Sequence, residues 1–161
     1  MNGPSHITAE GSIAMVDVSG KGDSERSARA EAVVRMSPAA RRALKAATLP
    51  KGDALVAAQI AGIMAAKQTA TLIPLAHPLP LTHVEVNFEW IAGGALRVEA
   101  RARTVAATGV ELEAMTAACV AALTIYDMSK SLDKGITVER VRLLEKSGGK
   151  SGRWQRPRTR R

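Results

Sequence analysis

Apolar and polar positions alternate in four stretches of the chain, and alternation of period two predicts strands. Ala28, Ala30, Ala32, Val34 and Met36 interleave with Arg29, Glu31, Val33 and Arg35. Val84, Val86, Phe88 and Trp90 interleave with His83, Glu85, Asn87 and Glu89. After a Gly93-Gly94 turn, Leu96, Val98, Ala100 and Ala102 interleave with Arg97, Glu99, Arg101 and Arg103, which makes a hairpin. Ile136 and Val138 open a last strand, whose phase slips before Val141 and Leu143 as at a bulge.

Between the first two strands lie two helices. Ser37-Pro38 supplies an N-cap and a first-turn proline for a short helix to about Ala47. Leu49-Pro50-Lys51-Gly52 breaks it, and Asp53 caps a second helix that runs to about Leu72. A third helix spans about Ala114 to Leu132. The order β-α-α-β-β-α-β predicts an α+β, ferredoxin-like fold, an antiparallel four-stranded sheet covered by helices, with one extra helix in the first crossover.

Residues 54–66 and 114–126 are apolar almost all round. Each runs thirteen residues against the roughly 20 needed to cross a bilayer, so neither is a membrane span. Helices apolar on every side are covered on more than one side. A chain this small has too few layers for that, so a second subunit is the expected cover.

The chain has 161 residues, the size of one domain, and 46% of them are hydrophobic, which excludes a disordered chain. One domain is expected over residues 1–152, with residues 1–11 loose. Its single cysteine, Cys119, excludes an intrachain disulfide and suits a reducing compartment. Met1–Glu10 is polar with no apolar run behind it, so a cytoplasmic location is expected. The net charge is +8, but five arginines crowd residues 153–161 and the remainder carries only +3. Residues 153–161 read as a basic, disordered tail. The body suits a polyanionic small molecule as well as a nucleic acid.

Several chemistries drop out. A phosphate loop ending at Gly149-Lys150-Ser151 needs a glycine where Leu144 stands, and no helix follows it. Ser147–Gly152 is then a hinge or a lysine-bearing loop that touches phosphate. One cysteine and His6, His77 and His83 without paired spacing give no zinc signature, and no metal site is expected. Cys119, mid-helix in an apolar run, reads as core.

Three constellations remain, each with a bland alternative. In Leu75-Ala76-His77-Pro78-Leu79-Pro80-Leu81 the prolines stiffen the backbone around an imidazole, which is either structural or aimed. Glu111 and Glu113 project together if their segment is extended, and otherwise simply complement a helix dipole. Asp127 and Lys130, one turn apart where the long apolar helix ends, form either a surface pair or an acid–base pair. In the second case desolvation raises the carboxyl pKa against the lowering by the ammonium, and the competition poises the aspartate for proton exchange.

Taken in order, these segments resemble one family, the cyclic pyranopterin monophosphate synthases of molybdenum cofactor biosynthesis. The likeness covers about residues 12 to 152. It runs through Met15-Val16-Asp17-Val18, Lys51-Gly52-Asp53, Ile60–Lys67, Leu72–Leu81, Thr108–Ala114, Leu123–Met128 and Asp133-Lys134-Gly135, and closes on Leu144–Gly152. Ala76 and Ser129 stand where the family often has cysteine, and Ser24 where it has threonine, so no ionisable catalytic group is lost.

The resemblance implies a lyase of the phosphorus–oxygen type. A cyclised dihydroguanosine triphosphate, made from GTP by an upstream radical-SAM cyclase, is rearranged by general acid–base catalysis to cyclic pyranopterin monophosphate, releasing pyrophosphate. It implies a homohexamer built as a trimer of dimers and no required cofactor, with Mg2+ an optional companion of the triphosphate. Asp127, Lys130 and Lys51 are then the catalytic candidates. Leu75, Ala76, His77, Leu112 and Glu113, supported by Glu111 and Asp17, take the base-derived ring. Arg26, Lys67, Lys146 and Lys150 take the phosphates. The competing class is a ferredoxin-like nucleic-acid-binding module, which stacks bases on strand aromatics. The last strand has no aromatic residue, and neither a nucleic acid nor a membrane is an expected partner.

Overall fold

The computed structural model describes residues 11–157. The readings of residues 1–10 as a polar, loose terminus and of residues 158–161 as part of the basic tail lie outside that range. The elements are β1 (Ser24–Arg35), α1 (Pro38–Lys45), α2 (Ala54–Lys67), α3 (Thr69–Leu72), β2 (Leu81–Trp90), β3 (Leu96–Ala106), α4 (Glu111–Ser129), β4 (Thr137–Ser147) and β5 (Trp154–Gln155). They form one antiparallel sheet in the order β2-β3-β1-β4-β5, with the helices packed on one face.

The caps behave as the sequence dictates. Ser37 accepts a hydrogen bond from the Ala40 N–H to start α1, and Asp53 accepts from the N–H groups of Leu55 and Val56 to start α2. Gly93 and Gly94 both take positive φ in the β2–β3 connection, a conformation other residues enter only at a cost. The phase slip in β4 is real: its register against β1 shifts between Val33 and Val34 and again between Arg29 and Ala30.

Two details correct the expectation. The sheet has five strands rather than four, and the fifth lies in the segment expected to be disordered. Trp154 and Gln155 pair with Lys146 and Glu145, the Arg156 N–H donates to the Leu144 carbonyl, and Arg153 bridges to Glu145 at 2.7 Å. These hydrogen bonds and the ion pair hold the start of the tail against β4.

The core is small-residue packing between the sheet and the pair α2 and α4. Ala30, Ala32, Ala100, Ala117, Ala118 and Ala121 have no exposed surface. Gly62 brings α2 so close to α4 that a Cβ there would lie 2.9 Å from the Ala117 carbonyl oxygen. The same contact, with Lys51 touching Asp127, sets α2 antiparallel to α4. Phe88 and Trp90 pack towards this core rather than outward. The open sheet face carries crossed ion pairs instead, among them Arg29 with Glu99 and Glu145, and Arg142 with the buried Glu31. Phe88 and Trp90 therefore offer no base-stacking platform on the open face, and the exposed strand aromatic is Trp154 on the short β5.

On their outer side the two helices show apolar residues to solvent. Val56, Ile60 and Met64 recur every fourth residue along α2, and α4 exposes Leu123, each about half exposed. Single exposed apolar residues are ordinary, whereas a stripe across two packed helices marks an interaction surface.

Candidate active site

Two clefts meet at the N-terminal end of α4. The larger, of about 760 Å³, lies between the start of β1, the loop from β3 to α4, and the loop after β4. Its cations are Lys21, Arg26, Lys146 and Lys150. The smaller, of about 320 Å³, is lined by Leu75, Ala76 and His77 on one side, Leu112 and Glu113 on another, and Val16 and Val18 across them. Lys21, Thr108, Gly109 and Glu111 border both, so the two are one continuous depression with a cationic end and a mainly apolar end.

At the cationic end, Arg26 is held by the Ala106 and Ala107 carbonyls, accepting from Nε at 3.4 Å and Nη2 at 3.2 Å. The loop after β4 folds directly onto it. A Cβ at Gly149 would collide with the Arg26 guanidinium, and one at Gly148 with the Glu25 carbonyl oxygen. Both glycines also have positive φ. Gly148 and Gly149 thus let the loop Ser147–Gly152 lie against β1, which brings Lys150 to the cleft, while Lys146 reaches it from the end of β4. Lys146 pairs with Glu111 at 2.7 Å.

Glu111 and Glu113 do not project together from an extended segment, as one reading of their spacing required. Both lie in the first turn of α4, where positions two apart diverge. Glu111 meets Lys146, while Glu113 turns inward and is 4% exposed. Burial pushes the Glu113 carboxyl above the usual range, and the charge of Glu111 pushes the same way against a local backbone hydrogen bond.

An acid with a raised folded-state pKa binds its proton more tightly in the native state. Stability therefore falls as pH rises from the unfolded value through the folded one. Glu113→Gln is expected to melt higher than the parent above that window, by an amount that shrinks to nothing as pH falls below it. Thermal melts across pH check this, and a pH-independent difference would contradict it.

At the other end of α4, Asp127 accepts from Lys130 through Oδ1 and from Lys51 through Oδ2, each at 2.8 Å. The expectation of a desolvated, poised aspartate is corrected here. Asp127 is exposed, and hydrogen bonds from Lys130 and then Lys51 lower its pKa to about 2, well past the small opposing effect of burial. The partnership raises the Lys130 pKa. In this chain the two ammonium groups win the competition.

The remaining candidates are placed as follows. Asp17 lines neither cleft and accepts from the Ser19 N–H at 2.9 Å, which lowers its pKa. Lys67 ends α2 at the cleft end of α4 but lines neither cleft. Lys21, with Ser24 and Ser27, lines the cationic end and was missed. The legible signal was Gly20-Lys21-Gly22, a lysine on a glycine loop much like the one that Lys150 occupies. Among the described residues no three His, Cys, Asp or Glu side chains group as a metal site, and no helix is long and apolar enough to cross a membrane.

The spacing between the two groups of residues matters most. From Glu111 to Asp127 along α4 is sixteen helical steps, about 24 Å at 1.5 Å per residue. The clefts and the Asp127–Lys51–Lys130 cluster are therefore on opposite ends of one chain.

The chain's relatives are consistent with one another. Proteins named cyclic pyranopterin monophosphate synthase match it at 51% identity in Novosphingobium aromaticivorans, over 96% of this chain and 98% of the relative. The figures are 51% in Desulfovibrio desulfuricans, over 95% and 94%, and 52% in Syntrophomonas wolfei, over 91% and 94%. A family model described as the MoaC family matches residues 15–149, a span that takes in the smaller cleft, the lysine–aspartate cluster and all of the larger cleft but Lys150 and Ser151. The chain belongs to the MoaC family.

Proposed function

We propose that this chain converts a cyclised, GTP-derived dihydroguanosine triphosphate into cyclic pyranopterin monophosphate and pyrophosphate. It is an enzyme of molybdenum cofactor biosynthesis, in the lyase class. The observation that carries the reading is the continuous depression with two chemically different ends. A triphosphate suits the end with Lys21, Arg26, Lys146 and Lys150, where fixed cations meet phosphate oxygens. A flat, hydrogen-bonding ring suits the end where Leu75, Ala76 and Leu112 surround His77 and Glu113. Opening the purine imidazole and closing a pterin ring require proton transfers, for which Lys51, Lys130 and Asp127 are the candidates.

Reacting atoms and catalytic groups must approach to within about 3–3.5 Å. A separation of about 24 Å along α4 forbids that within one chain, so each site combines the clefts of one subunit with the lysine–aspartate cluster of another. The exposed apolar stripe on α2 and α4 supports the required contact, and a hexamer arranged as a trimer of dimers accommodates it. Sedimentation at micromolar concentration is expected to show no stable monomer; a monomer would overturn the shared site.

The reaction is written without a redox cofactor, with Mg2+ entering only as a companion of the triphosphate. The proposed compartment is the cytoplasm, a reducing one that suits the single cysteine. The test is to incubate the protein with the cyclised nucleotide and measure pyrophosphate; none above background would reject the reading.

The loop after β4 gives a second expectation. Gly148→Ala adds a Cβ against the Glu25 backbone, at a residue whose φ is 103°. Strain of that kind costs about 1–3 kcal/mol, relieved by moving the loop and Lys150 away. KM for the nucleotide is expected to rise about tenfold or more with kcat much less affected. An unchanged KM would show that the loop does not position phosphate ligands.

A further inference from the structure

We infer that the backbone carbonyl of Val16 fixes the tautomer of His77, so that His77 meets the nucleotide through Nδ1 and Val16 is a positioning residue of the site. The inference rests on the reading of the smaller cleft as the place of the base-derived ring.

His77 Nε2 lies 2.8 Å from the Val16 carbonyl oxygen. A carbonyl only accepts, so Nε2 carries the proton, and in the neutral ring Nδ1 is then a bare acceptor. Among the described residues the buried side-chain polar atoms without a partner are Ser24 Oγ, Arg97 Nε and Ser129 Oγ. His77 Nδ1 is not one of them and has no hydrogen-bond partner among the described residues, so it stays accessible in the cleft that His77 lines.

Both sides of this hydrogen bond are held. Behind the imidazole, the Ala76 N–H donates to the Ile73 carbonyl at 3.0 Å, and Pro78 follows the histidine directly. On the other side, the segment carrying Val16 ends in a turn. Asp17 Oδ1 accepts from the Ser19 N–H, and the Lys21 N–H donates to the Val18 carbonyl at 2.9 Å. That turn puts Val16 and Val18 on the cleft and Asp17 outside it. Asp17, a candidate for touching the substrate, instead shapes the segment from which Val16 reaches His77. A ring of the purine or pterin type has N–H groups to donate, and an unprotonated Nδ1 beside Glu113 selects for such a donor.

The test uses the full chain labelled with nitrogen-15 histidine, the His77 signals being assigned by their loss in His77→Gln. The neutral ring is expected to show a protonated Nε2, a directly observable and slowly exchanging Nε2 proton, and an Overhauser contact from that proton to the Val16–Asp17 backbone. A proton on Nδ1, or fast tautomer averaging without that contact, overturns the inference. A second arm separates the two nitrogens by function. His77→Asn can place an acceptor near the position of Nδ1 but loses Val16, whereas His77→Gln can still donate to Val16 but offers nothing at Nδ1. KM for the cyclised nucleotide is expected to be about tenfold lower in His77→Asn, the worth of one hydrogen bond. Equal values or the reverse order overturn the inference. Failure of the functional reading is recognised separately, by parent protein that makes no pyrophosphate.

Discussion

Mixing two impaired variants is expected to give more activity than either alone. His77→Ala removes a group from the clefts at the N-terminal end of α4, and Lys51→Ala removes one from the cluster at the opposite end. If every site joins the clefts of one subunit to the cluster of another, random reassembly of equal amounts pairs an intact cleft with an intact cluster in about a quarter of sites. Each variant alone has none. Co-expression, or dissociation and reassembly, followed by a pyrophosphate assay, reads the difference directly. The assay is run at nucleotide concentrations below KM, where the lost cleft contact of His77→Ala is felt in full. A mixture no more active than the average of its two components would show that both groups act within one chain. That result would require α4 to lie otherwise than it does, because its length alone keeps Glu111 and Asp127 apart.

The strands and helices were legible because each is carried by a long periodic run. β1, β2 and β3 are each ten or more residues long and alternate over most of that length, and the caps Ser37 and Asp53 stand at the helix starts. β5 was not legible, because two residues have no period and Trp154-Gln155 is ordered by pairing with β4. The all-round apolar character of α2 and α4 was visible from composition, and the structure shows which part of it remains uncovered: Val56, Ile60, Met64 and Leu123. The site was legible residue by residue but not as an arrangement. Sequence spacing cannot show that Glu111 pairs with a lysine 35 positions away while Glu113 turns inward. Nor does it show that Asp127 is shared by two lysines, since Lys51 reaches it across 76 positions. The error about the Asp127 pKa has that origin. A carboxyl at the end of an apolar helix reads as desolvated when only its own helix is considered, and the second ammonium comes from the loop before α2.

Losing either lysine or the aspartate of that cluster is expected to stop catalysis without unfolding the protein. Asp127, Lys51 and Lys130 are each about half exposed in the single chain, and ion pairs so placed contribute little to stability. Groups that take part in proton transfer typically account for about 10²–10⁴-fold in rate. Asp127, with its pKa at about 2, is ionised throughout the neutral range. Its part is therefore to hold two ammonium groups on one carboxylate and keep both charged, and the lysines are the proton donors and anion stabilisers. Lys51→Ala, Lys130→Ala and Asp127→Asn are each expected to lower turnover by about a hundredfold or more, with the melting temperature and the oligomer nearly unchanged. Combining Asp127→Asn with Lys130→Ala is expected to be little worse than the poorer single change, because groups that act as one unit are not additive. The pH profile separates this role from a merely structural one. Asp127 raises the Lys130 pKa, first through their hydrogen bond and then through its charge. Removing that charge lowers the lysine pKa, so the residual activity of Asp127→Asn is expected to lose its alkaline limb at lower pH than the parent. Near-normal turnover in any of the three, or activity lost only together with the folded state, would reduce the cluster to a surface ion pair.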